Sequence, residues 1–446
     1  MSTFAYIGND RSLFIWGVVL RRELSNYYLK LGNGHSLMNS HQKTVEGTSA
    51  AAARENKGIS AWMTMLLATA CGLIAANIYY AQPLAGPISL ALGLSPSATG
   101  LIVTTTQIGY GIGLLLLVPL ADLFENRRLA LVLIGIAAVA LICTGFARQP
   151  LLFFLASLFV GLGTVAVQIL VPYAAHMAPE ATRGQTVGNV MSGLMLGIML
   201  ARPVASLVTQ ISSWHVIFVL SGAVMVLLGL VLGRALPRRI PPSKLSYGKL
   251  LSSMRDLALT TPALQRRALY HALLFGAFSL FWTTIPLLLA GSYGLSQGGI
   301  ALFALAGIAG AVGAPIAGRV GDRGWTRIAT AVAMIAVAMA FLLTHAGQTG
   351  SSQSLIALVA AAIILDFGVS VNMTLGQRVI FGLDPTLRAR LNGVYMTTFF
   401  IGGALGSALG GWAYAQGGWQ FTSWIGFALP LSSLLYFATE LKSAKT

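Results

Sequence analysis

Residues 354–377 read SLIALVAAAIILDFGVSVNMTLGQ, 24 positions with a single ionisable side chain, Asp366, near the middle. A helix needs about 20 mostly apolar residues to cross the hydrocarbon core of a bilayer, so this stretch reads as a membrane span. Similar runs lie at 59–82, 98–121, 129–147, 151–177, 185–210, 214–235, 268–290, 297–318, 327–346, 391–414 and 420–440. Of the 446 residues, 9% are charged and 56% hydrophobic, whereas a soluble domain has about 25% and 45–50%. No water-soluble surface can be made from that composition. The fold class is all-α integral membrane, with twelve transmembrane helices.

The runs fall six and six around one long connector. Residues 236–266 hold Pro237, Pro241 and Pro242 together with Arg238, Arg239, Lys244, Lys249, Arg255 and Arg266, with Arg267 following, and read as a solvated linker. It separates an N-terminal bundle, 59–235, from a C-terminal bundle, 267–441. Residues 1–58 read as a disordered cytoplasmic extension whose longest apolar run, 13–20, is too short to cross a bilayer; Met38 is an alternative start. Residues 442–446 form a short tail.

Lys and Arg concentrate in alternate loops, and the positive-inside bias turns that into an orientation. With the N-terminus inside, 26 of the 28 basic residues are cytoplasmic, Arg148 is outside and Arg202 lies in a span. Both termini are then cytoplasmic, in a multi-pass protein of the inner or plasma membrane. The net charge of +16 is a topology signal, so the lipid bilayer is the expected partner and nucleic acid is not. Cys71 and Cys143 both sit in apolar runs, the six histidines are scattered, and no HExxH, CxxC, GxSxG or phosphate loop occurs. No enzyme activity, metal or cofactor is expected.

The two halves repeat each other. Gly93-Leu94-Ser95 leads through a helix to Asp122, and Gly294-Leu295-Ser296 leads through one of matching length to Asp322. Arg183, Gly188, Met191, Gly197 and Trp214 recur as Arg388, Gly393, Met396, Gly402 and Trp419 at a constant offset of 205. Duplicated six-helix bundles in one orientation place a site between them near the midplane, an arrangement suited to alternating access.

On these residues the chain resembles the major facilitator superfamily, and within it the twelve-span proton-coupled drug and sugar efflux permeases. The family's Gly-x-x-x-Asp-Arg-x-Gly-Arg-Arg loop between the second and third helix of each half is matched by Gly318, Asp322, Arg323, Gly324 and Arg327. The first copy keeps Asp122 but has Val118 and Leu123 in place of the glycine and arginine, with Arg127 and Arg128 shifted by one position. The fifth helix resembles the antiporter signature Gly-x-x-x-Gly-Pro as Gly197-Ile-Met-Leu-Ala201-Arg202-Pro203. The resemblance implies the two-bundle fold, and it implies gating latches that pair Asp122 with Arg183 and Asp322 with Arg388. Charge pairing of Asp122 with Arg127 or Arg128 is also expected.

Asp366 is the expected proton-coupling residue. An ionised carboxylate near the midplane is costly unless paired or wetted, so it must face the bundle interior. Asp366, Ser370, Met373 and Gln377 form one stripe at i, i+4, i+7 and i+11, and Met191, Met195, Met199 and Arg202 form another on the fifth helix. Arg202 is expected to pair inside the bundle with a substrate, a helix C-terminus or a carboxylate. Asn77, Tyr80, Gln107, Gln168 and Trp282 complete the substrate-binding candidates. Gly402, Gly406 and Gly410 read as a close helix contact surface.

The expected function is export of a small drug-like or sugar-like molecule by proton antiport, with the protein working as a monomer. Proton-coupled uptake by symport and a non-transporting sensor on the same scaffold are the alternatives.

Overall fold

The computed structural model describes residues 59–241, 246–384 and 386–443; the 1–58 extension lies outside them. Among the described residues ten helices are long and apolar enough to cross a membrane. The last of these, Arg388–Ser443, is broken by non-helical Gly417 and Gly418, the latter at φ 60°, into spans at 388–416 and 419–443. One more span starts as the 16-residue apolar helix Ala61–Ala76. Twelve spans result. They include the second (Pro96–Asp122), third (Asn126–Gly145), fourth (Pro150–Met177), fifth (Arg183–Ile211), sixth (Trp214–Ala235), seventh (Pro262–Ser292), eighth (Gln297–Asp322), ninth (Thr326–Leu343) and tenth (Ser352–Phe381).

The first span departs from the uninterrupted helix expected at 59–82. After Ala76 the chain tightens into i→i−3 turns, with Asn77, Ile78, Tyr79, Gln82 and Leu84 each donating three residues back, before the short helix Ala85–Ala91. Pro83, which has no N–H to give, lies within these turns. The eighth span likewise tightens over Leu305–Ile308.

The sequence repeat is a packing repeat. Gly93 and Gly294 occupy the same left-handed turn, each at φ 62°. Gly72 of the first span packs backbone to backbone with Gly193 and Gly197 of the fifth, and Gly276 of the seventh does so with Gly402 and Gly406 of the eleventh. A Cβ on Gly197 or Gly402 would run into a neighbouring carbonyl, on Gly72 and Ala272 respectively. Small residues at helix crossings let backbones approach, which in lipid supplies packing that the hydrophobic effect does not. The outer faces of the spans expose large apolar side chains such as Leu227, Ile356 and Leu405, as a lipid-facing surface requires.

The halves meet along two seams. On one, Gly100 packs on Ser407 and Gly411, the Thr104 hydroxyl donates to the Ala404 carbonyl (3.0 Å), Gln107 Nε2 donates to Ser279 Oγ (2.7 Å), and Tyr110 lies 4.3 Å from Phe400 between ring centres. On the other, Gly298 N donates to Gln210 Oε1 at 2.9 Å. That contact lies at the end away from the basic loops.

The connector differs from the solvated linker expected at 236–266. It contains a helix, Tyr247–Thr260, with Leu250 and Met254 buried. Its Tyr247 hydroxyl donates to the Leu116 carbonyl of the second span, and its Ser253 accepts from Arg390 of the eleventh. The seventh helix starts at Pro262, so Arg267 is buried and ion-paired with Glu440 at 3.3 Å. An apolar stripe in this segment was hidden by its net basic composition.

Candidate functional site

The centre of the molecule is an ion pair between the halves. Arg202 Nη1 of the fifth span lies 3.9 Å from Asp366 Oδ2 of the tenth, with the residues 2% and 5% exposed. That distance is ionic contact without a hydrogen bond. Asp366 Oδ1 instead accepts from Trp282 Nε1 of the seventh span at 2.7 Å. Arg202 Nε donates to Gln82 Oε1 at 2.7 Å. Three rings surround the guanidinium: its Cζ is 4.2 Å from the Trp282 ring centre, 5.0 Å from Phe278 and 5.4 Å from Tyr79. All are within cation–π range.

Local irregularities make room for this pair. The turns after Ala76 carry Tyr79 and Gln82 to Arg202. Gly307 sits in the tight stretch of the eighth span, where a Cβ would lie 2.9 Å from Asp366 Oδ2, 3.1 Å from Arg202 Nη1 and 3.4 Å from the Trp282 ring. Asp366 is therefore not a lone acid: it is held by a cation and a donor from two other spans. Pairing a buried charge is what makes its burial tolerable.

At about 100° per residue, Met191 and Met195 point within about 20° of Arg202, and Met199 within about 60°. Gly193 and Gly197, which pack on the first span, face the other way. The methionine stripe therefore lies on the side of the helix that carries Arg202, away from the first span. Ser370, Met373 and Gln377 lie within about 40° of Asp366 on the tenth span by the same geometry. All six are half-buried and lie on the basic-loop side of the ion pair. Gln377 Nε2 also reaches Asn392 Oδ1 of the eleventh span at 3.3 Å.

Other candidates have packing partners. Asn77 donates to the Leu73 and Ile74 carbonyls and accepts from Ser221 at 2.5 Å, inside the N-terminal half, with Tyr80 beside the same serine. Gln107 is committed to the seam with Ser279, and Gln168 donates to the Tyr110 hydroxyl at 3.0 Å.

The expected latches are paired differently. Asp322 pairs with Arg378 at 2.5 Å rather than with Arg388. Arg388 and Arg183 each donate to a carbonyl at the end of the preceding span, Phe381 and Ala175 respectively, where a cation also meets the negative end of the helix dipole. Arg127 donates to the Gly233 carbonyl and Arg128 pairs with Glu125 at 3.0 Å, so neither neutralises Asp122. Asp122 feels Arg390 and Arg239 instead. Gly318 has open space at its Cβ, and Arg323 and Arg327 are exposed at the basic end.

Sequence reading missed Gln82, Tyr79 and Gly307 in the central cluster. A buried-span glutamine beside Pro83 was the one available signal for Gln82; the glycine carried none. It also missed the cluster in which His271 Nδ1 meets Asn372 Nδ2 at 3.3 Å and the imidazole stacks between Tyr395 and Phe399. Among the described residues no group of three metal-ligating side chains occurs.

A twelve-span chain of two repeated halves with a charged pair between them has the build of a carrier, and residues 65–356 match the model of the Major Facilitator Superfamily. The chain belongs to that family. It is 39% identical over 383 residues to a protein of Escherichia coli O157:H7 described as an uncharacterized transporter, YgaY, covering 86% of this chain and 96% of that one. A Streptomyces coelicolor protein described as a transporter is 33% identical over 359 residues, covering 79% and 82%. The solved structure of the nucleoside transporter NupG matches with a TM-score of 0.68 at 15% identity, over 86% of this chain and 99% of that one, which supports the shared fold. The chain is a multi-pass membrane transporter and not an enzyme.

Proposed function

We propose that the chain moves a small organic molecule across the membrane by proton-coupled alternating access, with Asp366 taking up and releasing the proton and Arg202 as its counter-charge. The observation that carries this is the Arg202–Asp366 contact between the halves. Protonation removes one charge of the pair and so weakens the tie between the fifth and tenth spans; a ligand shifts a two-state equilibrium only by such a differential interaction. The bundles 59–235 and 267–441 would then move as bodies about the connector 236–266, as a monomer. Positive-inside bias makes the basic end, with both termini, the cytoplasmic one. The Asp322–Arg378 pair and the helix-end arginines Arg183 and Arg388 would gate that side.

The most direct exchange of substrate for a proton has the two compete for Asp366. The guanidinium 3.9 Å away repels the cationic substrates that compete most directly. The pair therefore favours co-transport over the antiport expected from the sequence resemblance.

The test needs no substrate. A single cysteine at Gly298, where a Cβ meets nothing closer than 3.6 Å, reports opening of the Gln210–Gly298 contact by maleimide labelling, with Cys71 and Cys143 changed to Ser. Labelling, normalised at each pH to the same cysteine in the unfolded protein so that thiol ionisation cancels, should change as the pH is lowered, and Asp366→Asn should hold this normalised labelling at one level across pH. A pH response that survives Asp366→Asn would remove the coupling role.

A further inference from the structure

We propose that the substrate is an organic anion whose carboxylate-type head group binds between Arg202 and Gln82, and that each anion travels with one proton on Asp366. This rests on the coupling role of Asp366 proposed above and adds the chemical class of the substrate and the sense of coupling.

The first argument is a surplus of donors. Arg202 and Gln82 are 2% and 0% exposed. Arg202 Nη2 and Gln82 Nε2 are buried and have no hydrogen-bond partner. Nε–H and one Nη2–H lie along the same edge of a guanidinium, and Nε is the atom bonded to Gln82 Oε1. The two unpaired donors therefore belong to two side chains that one hydrogen bond of 2.7 Å joins. A buried donor without an acceptor costs about 1–3 kcal/mol, so this pair of side chains is poised for an oxygen ligand. Asp366 does not fill that role: one oxygen accepts from Trp282 and the other faces Nη1 at 3.9 Å. The remaining neighbours of the guanidinium, Tyr79, Phe278 and Trp282, present ring faces. A carboxylate, with two acceptor oxygens, answers both donors at once.

The second argument is charge. Arg202 comes from the fifth span, Tyr79 from the first and Trp282 from the seventh; the eighth span brings Gly307, which has no side chain, and Ser370 lies a turn away on the helix of Asp366. Arg202 is the one cation in this set. Arg202 against Asp366 makes a net-neutral pair. An anion bound there adds a buried negative charge, and one proton on the Asp366 carboxylate restores neutrality. Anion and proton therefore bind cooperatively, as in symport. A cation meets Arg202 head on, and a neutral alcohol leaves the pair and its proton content unchanged.

The third argument is the approach to the site. From the basic end it passes Met191, Met195 and Met199 of the fifth span and Ser370 and Met373 of the tenth, all half-buried and on the side of their helices that carries Arg202 or Asp366. Soft thioethers adapt to varied apolar shapes, so the anion carries an apolar body.

The test uses the purified full chain in nanodiscs and three probes, phenylacetate, benzoate and octanoate. Each is compared with its neutral alcohol, and phenethylamine serves as the cation, by calorimetry in weak buffer with a pH-sensitive dye. At least one of the three acids should bind in the millimolar range or better, at least tenfold tighter than its alcohol, with about one proton taken up per anion. Its affinity should rise toward about tenfold per unit fall in pH where the site starts deprotonated. Arg202→Gln should weaken binding at least tenfold and Arg202→Lys should keep part of it. Asp366→Asn should keep binding and lose both the proton uptake and the pH slope. Because Arg202→Gln can fold poorly, the double variant Arg202→Gln/Asp366→Asn supplies the same head-group test without a buried lone charge.

Binding of the acids and their alcohols to the same degree, binding that survives in the double variant, proton release on binding, or no binding of any of the three acids would each overturn the anion assignment. The cysteine experiment separates the two readings. If labelling at position 298 follows pH and loses that response in Asp366→Asn while the acids fail, the coupling role stands and the substrate class falls. If the labelling response survives Asp366→Asn, the underlying coupling role is what fails.

Discussion

Removing Arg202 should produce a protein whose stability depends on pH and is rescued by removing Asp366 as well. In Arg202→Gln the Asp366 carboxylate keeps one strong donor, Trp282 Nε1 at 2.7 Å, and loses its cation while staying 5% exposed. Breaking a buried pair by removing one partner costs about 3–5 kcal/mol, because the other charge is left uncompensated. A carboxylate has an escape that a guanidinium lacks: it takes a proton. The loss should therefore be full in alkaline solution and shrink as the pH falls.

The reverse change is milder. In Asp366→Asn the Arg202 cation keeps Gln82 Oε1 at 2.7 Å and three aromatic rings, each ring worth about 0.5–2 kcal/mol. Its loss should be about 1–3 kcal/mol and flat with pH. The double variant should be more stable than Arg202→Gln in alkaline solution and show no added pH dependence. Unfolding of the four proteins, followed at acid and alkaline pH in one detergent, measures the cycle. Additive single losses, or an Arg202→Gln protein equally stable at both pH values, would show that the two side chains do not share a buried charge balance.

Three further outcomes follow from the packing. Gly307→Ala puts a methyl 2.9 Å from Asp366 Oδ2 and 3.1 Å from Arg202 Nη1; the pair must open, and anion-coupled proton uptake should fall several-fold while the protein still purifies as a folded species. Gly197→Val drives a side chain into the Gly72 backbone and should cost more than about 3 kcal/mol, since backbone yields less than a side chain in an overpacked contact; expression and thermal unfolding report it. Asp322→Asn breaks an exposed pair with Arg378 and should change stability by less than about 1 kcal/mol, with any effect confined to transport rate.

Much of this architecture is legible in a line of letters, because lipid imposes it locally. A run such as 354–377 crosses the bilayer whatever surrounds it, and backbone groups in hydrocarbon leave a helix as the one solution for an isolated span. The 205-residue repeat became a packing repeat because small residues at Gly197 and Gly402 serve the same crossing in each half. Asp366 and Arg202 both stood out as charges where charge is expensive. The helix at Tyr247–Thr260 was hidden by the basic residues of its exposed face, and the latch partners were misassigned because arginines near a loop have several carbonyls and carboxylates within reach.

What the sequence by itself determined is the set of twelve spans, their duplication and the presence of two intramembrane charges, all properties of single segments against a uniform solvent. The tertiary structure decided that those two charges meet. Arg202 and Asp366 are separated by 163 intervening residues, and which carboxylate faces which guanidinium depends on how the halves dock, where Gly307 makes room and where the turns after Ala76 carry Gln82. Contacts of that kind are set by the geometry of several helices together, and no periodicity within one of them encodes it.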